Sequence, residues 1–245
     1  MLFFIFIMVA LSAGFGVLFW HNHKAGLTNV TTGVVATPGF RAFQRNYLFV
    51  YFLAVFADWL QGPYVYALYV WYGYSKSAIA GFFIVGFSSS LIFGTFVGSL
   101  GDKYGRRTMT VAYGLLYALS CLCKMVNWVP ILILGRVLSG ISTSLLFSAP
   151  ESWMVHEHSR NGFPEANLSQ TFSLATLING ATAVLAGVAA SFVSDEWGLS
   201  LGYRAPFVLA AVVLVSLAAL VSRSRCENYG YAGCTTSAVI YNASL

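Results

Sequence analysis

Asp58 and Arg136 interrupt two otherwise apolar stretches, Ala57-Asp58-Trp59-Leu60-Gln61-Gly62-Pro63-Tyr64 and Leu134-Gly135-Arg136-Val137-Leu138-Ser139-Gly140. A charge held at mid-bilayer costs roughly 2.5–3.5 kcal/mol on insertion scales, so such side chains face a bundle interior or water and tend to find a partner. Arg136 lies about 9 Å inside the outer end of its stretch at 1.5 Å per residue, and Asp58 about 15 Å from either face. A long arginine and a short aspartate can meet across that offset, which predicts an ion pair lining a pathway. Gln61, Ser142, Ser144 and Asn179 are further polar positions in apolar surroundings. Their amides and hydroxyls suit either helix–helix hydrogen bonds or contact with a solute. Lys124, one turn from a helix end, is expected to snorkel to the interface and complement the helix dipole. Gly62-Pro63 breaks a hydrogen-bond ladder just after Asp58. Gly94 and Gly98 form a G-x-x-x-G, read as a packing face.

The elements that carry these residues follow from composition. The chain has 245 residues and a net charge of +5, with 58% apolar and 9% charged residues. Soluble domains carry about 25% charge, so a soluble enzyme, a nucleic-acid module and a disordered chain are excluded, and the surroundings are a lipid bilayer. Seven hydrophobic segments are read at about 1–20, 46–72, 78–100, 108–126, 130–150, 168–193 and 204–222. They are continuously apolar and about twice the length of a barrel strand, so they are helices. The fold class is an all-α membrane protein. Segment 1–20 has no basic residue before its apolar run and is read as an uncleaved extra helix. Residues 21–45 form a polar linker, 46–222 a six-helix bundle and 223–245 a tail.

Nine Lys and Arg residues fall in one set of loops (Lys24, Arg41, Arg45, Lys103, Arg106, Arg107, Arg160, Arg223, Arg225) against three in the other (Lys76, Lys124, Arg204). This bias assigns the 101–107 loop, the 151–167 loop and the tail to the cytoplasm. The sequons at Asn29, Asn167 and Asn242 then lie on the cytoplasmic side and stay unmodified. Cys121, Cys123, Cys226 and Cys234 show no metal or redox spacing and are read as free thiols. His156-Glu157-His158 is not a zinc pair, since helical neighbours two apart diverge by about 200°, and is read as a solvated loop. With no P-loop, no G-x-S-x-G and no Rossmann glycine pattern, neither catalytic residues nor a metal or other cofactor are expected.

The loop Gly98-Ser-Leu-Gly-Asp102-Lys103-Tyr-Gly105-Arg106-Arg107 resembles the signature loop of the major facilitator superfamily, G-x-x-x-D-[RK]-x-G-R-R, and matches it at every fixed position. Gly98 is expected to let helices approach closely, Asp102 to end a helix, and Gly105 to turn the chain at positive φ. Arg106 and Arg107 are expected to hold the loop in the cytoplasm, and the whole motif to act as a breakable latch between rocking bundles. The resemblance sets 46–72 as the superfamily's first helix and 204–222 as its sixth. It implies one half of a twelve-helix fold plus an extra first helix. Arg136 with Gly140 also resembles that fold's fourth-helix R-x-x-x-G.

Three further strings narrow the likeness: Asp58-Trp59-Leu60-Gln61 with Pro63-Tyr64; Arg136 through Ala149, then Glu151, Trp153 and His156-Glu157-His158; and Glu227-Asn228-Tyr229. Together they resemble the eukaryotic molybdate-anion transporter family. The resemblance implies uptake of molybdate or a similar oxyanion across the plasma membrane. It implies roles for Asp58, Gln61, Arg136 and the Glu151–His158 stretch. Because ionised Asp58 and Arg136 cancel while a proton on Asp58 leaves a net positive site, Asp58 is expected as proton carrier and Arg136 as anion clamp. A second six-helix half or a homodimer partner is implied as well. Two other readings stay open: a carrier of sugar or another neutral solute using the first-helix aromatics Tyr64, Tyr66, Tyr69, Trp71 and Tyr72, and a non-transporting half that regulates a full-length relative.

Overall fold

The computed structural model describes residues 17, 38–194, 199, 201–224 and 227. The expected helix at 1–20 and most of the linker and tail lie outside the described residues. Seven helices follow: α1 (Pro38–Trp71), α2 (Lys76–Gly94), α3 (Val97–Tyr104), α4 (Arg106–Cys123), α5 (Val129–Arg160), α6 (Glu165–Ser194) and α7 (Ala205–Ser224). Five of them (α1, α2, α5, α6 and α7) are long and apolar enough to cross a membrane. The chain is an all-helical, multi-pass membrane protein.

Local sequence sets most of the boundaries. Ser75 caps α2, its hydroxyl accepting from the Ala78 amide at 3.3 Å. Pro130 opens α5, where its missing N–H costs nothing. Gly105, at φ 92°, makes the turn between α3 and α4 that the sequence predicts. Three boundaries differ from expectation. Helix α1 begins at Pro38, so the end of the stretch read as linker is helical. The 78–100 segment is two helices, broken at Thr95–Phe96, and the second runs on to Tyr104. Asp102 therefore sits within α3 and does not end a helix. Helix α5 continues through Pro150 to Arg160, so 151–160 is helix and not loop.

The helices pack in the order α2, α5, α4, α7, α1, α6, each mainly against its neighbours in that series. Helix α1 touches α2 and α5 only lightly, which leaves a cleft between them. Without a hydrophobic drive between helices in lipid, close approach at small residues holds such a bundle. On α2 against α5 that residue is Gly140: a methyl there would overlap the Gly86 carbonyl oxygen and lie 2.9 Å from the Ser90 nitrogen. Ser89 Oγ donates to the Val137 carbonyl at 2.9 Å, and Ser144 Oγ to the Ser90 carbonyl at 2.8 Å. Of the expected packing face, Gly94 lies against α5, where an added Cβ would be 3.6 Å from Ser144 Oγ, while Gly98 does not pack. A Cβ at Gly98 would meet nothing within 4 Å, because the helix breaks between the two glycines.

Helix α4 is less apolar than the five long spans, and its polar groups point inward. Tyr113 donates to the Ala54 carbonyl at 2.9 Å and Ser120 to the Gly135 carbonyl at 2.7 Å. Apolar side chains on α2 (Ile84, Phe87, Leu91, Ile92), α6 (Leu177, Val184, Leu185, Val188) and α7 (Val208, Val212, Val215) are exposed on the outside.

Candidate functional site

Helices α1, α2, α4 and α5 enclose a cavity of about 210 Å³ whose lining includes Asp58, Gln61, Tyr117, Lys124, Arg136 and Ser139. This is below the ~300–1,000 Å³ of drug-sized sites and suits a small solute. Arg136 is 8% exposed. Its Nε donates to the Phe82 carbonyl at 3.1 Å, and its guanidinium lies 4.5 Å from the centre of the Phe83 ring. Gly86 makes room for it: a Cβ there would lie 3.0 Å from Nη2. With Nε tied back, the two terminal nitrogens have no hydrogen-bond partner among the described residues, and the side chain lines the cavity.

Asp58 reaches the same cavity from α1, but the ion pair expected with Arg136 does not form. Asp58 Oδ1 instead accepts from the Tyr117 hydroxyl at 2.6 Å, so α4 supplies its partner. Lys124 also departs from expectation. It is 1% exposed and does not snorkel. Its Nζ donates to Gln61 Oε1 at 2.8 Å and lies 5.6 Å from the Tyr117 ring centre and 5.4 Å from that of Phe207. The helix end that carries it is pinned, since Tyr72 donates to the Lys124 carbonyl at 2.7 Å. The cavity thus holds two cationic side chains and one acidic one, where the sequence suggested one of each.

Among the remaining candidates, Gln61 lines the cavity and also donates to the Ala57 carbonyl at 3.3 Å. Asn179 is not part of the lining. It accepts from Trp59 Nε1 at 2.9 Å and so fixes a cavity side chain from α6. Ser142 bonds its own helix at the Leu138 carbonyl, 2.8 Å away. Of the first-helix aromatics, Tyr69 packs on Phe82 at 5.0 Å between ring centres, and Trp71 and Tyr72 stack under Arg204 at 5.1 and 5.4 Å. None of Tyr64, Tyr66, Tyr69, Trp71 and Tyr72 lines the cavity.

The Glu151–His158 stretch lies elsewhere. Glu151 is about 22 Å along α5 from Arg136 at helical rise. Glu157 and His158 are buried in the last turns of α5, which corrects the solvated-loop reading. His158 Nε2 is 3.1 Å from the Pro164 carbonyl, and its ring meets those of Phe40 and Phe163 at 6.1 and 5.6 Å. Glu157 lies 3.6 Å from Arg160 and 3.8 Å from His156. These side chains brace the end of α5 on α1. Asn167 is fully buried, which removes it as a glycan acceptor.

The signature loop is at the same end as that brace. Arg106 Nη2 pairs with Asp102 Oδ1 at 2.8 Å. Gly98, Gly101, Asp102 and Arg106 line a second cavity of about 190 Å³ with Ser148 and Ser152 of α5. Lys103 is exposed, its Nζ 5.3 Å from the Tyr104 ring centre. Arg107 donates to the Ser222 carbonyl. Glu227 accepts from the Arg107 amide at 2.9 Å and from the Thr108 hydroxyl at 2.6 Å. A carboxylate there satisfies orphan amides and opposes the positive end of α4. Loop and tail are thereby clasped, a contact spanning about 120 residues that no local pattern announces.

Residues 3–241 match a family model described as sugar transporters, 12 TM. The chain belongs to the major facilitator superfamily. It is 42% identical over 227 residues to a molybdate-anion transporter of Xenopus tropicalis, covering 92% of this chain and 49% of that protein. A molybdate-anion transporter of Takifugu rubripes is 42% identical over 193 residues, 78% of this chain and 40% of the relative. A putative proline/betaine transporter of Staphylococcus aureus is 30% identical over 129 residues, 47% of this chain and 27% of that protein. The chain spans about half the length of the molybdate-anion transporters it matches.

Proposed function

We propose that this bundle is the N-terminal half of a secondary transporter that moves molybdate or a similar tetrahedral oxyanion across the plasma membrane, linked to a proton. The carrying observation is Arg136, buried in the cavity wall with its terminal nitrogens meeting no hydrogen-bond acceptor among the described residues. A guanidinium anchored at Nε presents paired donors of the geometry that oxyanions accept. The relatives named as molybdate-anion transporters support the substrate. The neutral-solute alternative is not favoured, because the first-helix aromatics it named, Tyr64, Tyr66, Tyr69, Trp71 and Tyr72, do not line the cavity. Alternating access takes two bundles, so a second half or a second copy of the chain is the partner in this reading. The excess of Lys and Arg at the signature-loop end supports that end as cytoplasmic.

The mechanism follows from the charges around Asp58. Tyr117 and Lys124 of α4, Gln61 of its own helix and Arg136 of α5 share its cavity. With Asp58 ionised the cavity carries a net charge of +1; a proton on Asp58 raises it to +2 and removes the repulsion a dianion meets there. The Tyr117 hydroxyl, 2.6 Å away, holds the carboxyl in place in both states. Carrying a dianion inward against 100 mV costs about 4.6 kcal/mol at roughly 2.3 per charge. One accompanying proton halves that cost.

The test is uptake of radiolabelled molybdate into cells or proteoliposomes across a pH series, with Asp58→Asn as the variant. Wild-type uptake should rise as external pH falls, and Asp58→Asn should flatten the profile while retaining molybdate binding. An unchanged pH profile in the variant removes Asp58 from the mechanism.

A further inference from the structure

We propose that Lys124 is the second cationic contact of the oxyanion site, and that Lys124 and Arg136 together make the site prefer a doubly charged tetrahedral anion over a singly charged one of the same shape. The proposal deepens the oxyanion reading above and rests on it.

Lys124 and Arg136 line one cavity from different helices, α4 and α5. An ammonium group has three donors. Among the described residues, one of these has a hydrogen-bond acceptor, the neutral amide oxygen of Gln61 at 2.8 Å. The rest of its surroundings are the rings of Tyr117 and Phe207, at 5.6 and 5.4 Å. The carboxylate in the cavity is bonded to Tyr117 and forms no ion pair with this lysine. Asp58 shares the cavity without touching Nζ, so this 1% exposed ammonium has only a neutral hydrogen-bond partner, a compensation that an entering anion completes. An anionic oxygen is a stronger acceptor than an amide, so an entering oxyanion takes the Gln61 position on Nζ. The Gln61 amide already holds the Ala57 carbonyl through Nε2 at 3.3 Å, which leaves it anchored when its oxygen is released. Tyr72 fixes the lysine backbone through its carbonyl at 2.7 Å, so the ammonium stays at the cavity and does not withdraw to the interface.

Lys124 adds one positive charge to the cavity whichever state Asp58 is in. Removing it therefore shifts preference toward the singly charged anion. Molybdate and perrhenate are tetrahedral oxyanions that differ in charge, −2 against −1. The experiment is equilibrium binding of radiolabelled molybdate to the purified chain in detergent, with sodium perrhenate as competitor. Wild type, Lys124→Gln, Lys124→Arg and Gln61→Glu are compared at one pH. Wild type should prefer molybdate. Lys124→Gln should weaken molybdate by about tenfold or more and perrhenate far less, so that the ratio falls. Lys124→Arg should keep the ratio near that of wild type. Gln61→Glu places a carboxylate against an intact Lys124 and should shift the ratio the same way as Lys124→Gln; it carries the test if Lys124→Gln fails to fold. An unchanged ratio in folded Lys124→Gln or in Gln61→Glu, or equal losses for both anions, overturns the role of Lys124 while leaving the oxyanion reading intact. Failure of the wild-type chain to bind molybdate overturns the oxyanion reading itself, and this proposal with it.

Discussion

Replacing Arg136 with alanine should weaken molybdate binding by about 30- to 5,000-fold, as expected from losing a desolvated charged partner worth roughly 2–5 kcal/mol. Arg136→Lys should fall between, at a loss of about tenfold. Lysine keeps the charge but has neither the fork that meets two oxygens nor a fixed Nε to anchor on the Phe82 carbonyl at 3.1 Å. The measurement is equilibrium binding to purified protein, with circular dichroism and a thermal melt to show that each variant is folded. The ordering wild type, Lys, Ala is the informative result, because a general loss of packing would not grade with the shape of the cation. Equal binding by all three would show that the guanidinium does not touch the anion.

Gly140→Leu should prevent the bundle from assembling, and Gly140→Ala should lower the melting temperature by several degrees. The reason is the contact of α2 with α5. A Cβ at Gly140 would collide with the Gly86 carbonyl and press on the Ser89 Cβ and the Ser90 nitrogen, both at 2.9 Å. Overpacking of this kind costs about 1–3 kcal/mol, and two helix backbones must separate to relieve it. Gly81→Ala is the matched control. It lies in α2, the helix against which Gly140 packs, and a Cβ there meets nothing within 4 Å, so the better helix former should be neutral or mildly stabilising. A fluorescence-monitored melt of the three variants in one detergent checks both outcomes. If Gly140→Ala melts with wild type, the close approach does not hold α2 on α5. Because Gly86 also makes room for the Arg136 guanidinium, separation of α2 from α5 should cost anion binding as well as stability.

The helices and the interior position of Asp58 and Arg136 were legible because a long apolar run and a charge within it are local facts. Their partners were not. Whether Lys124 reaches the interface or the cavity depends on which way the end of α4 faces, and that is set by its packing between α5 and α7. Depth along the helix suggested that Asp58 would meet Arg136, but the hydroxyl of Tyr117, 59 residues away in sequence, reaches it first. A periodic reading gives no reason to single out one tyrosine among the aromatics. Helix α5 outruns its apolar stretch because its last turns are held by protein, with Glu157 and His158 buried. Those turns carry charge, so a rule based on hydropathy ends the helix too early. Pro150 leaves the helix continuous here, although proline is usually a stop signal. The signature loop shows the opposite case: Gly105 had to take positive φ for so short a turn, and it does.

Anion binding at Arg136 requires that the wall carrying it face a water-filled space which the anion enters. The most direct measurement is labelling of a cysteine at Thr143, which lines that cavity two turns along α5 from Arg136, with a charged, membrane-impermeant thiol reagent. The native Cys121 and Cys123 are buried, and the experiment uses a background in which Cys226 and Cys234 are replaced by serine. Thr143→Cys should be labelled, molybdate should slow the labelling, and the slowing should disappear when Arg136→Ala is added. A thiol at that position that never reacts, or that reacts at the same rate with and without molybdate, would contradict anion binding at Arg136.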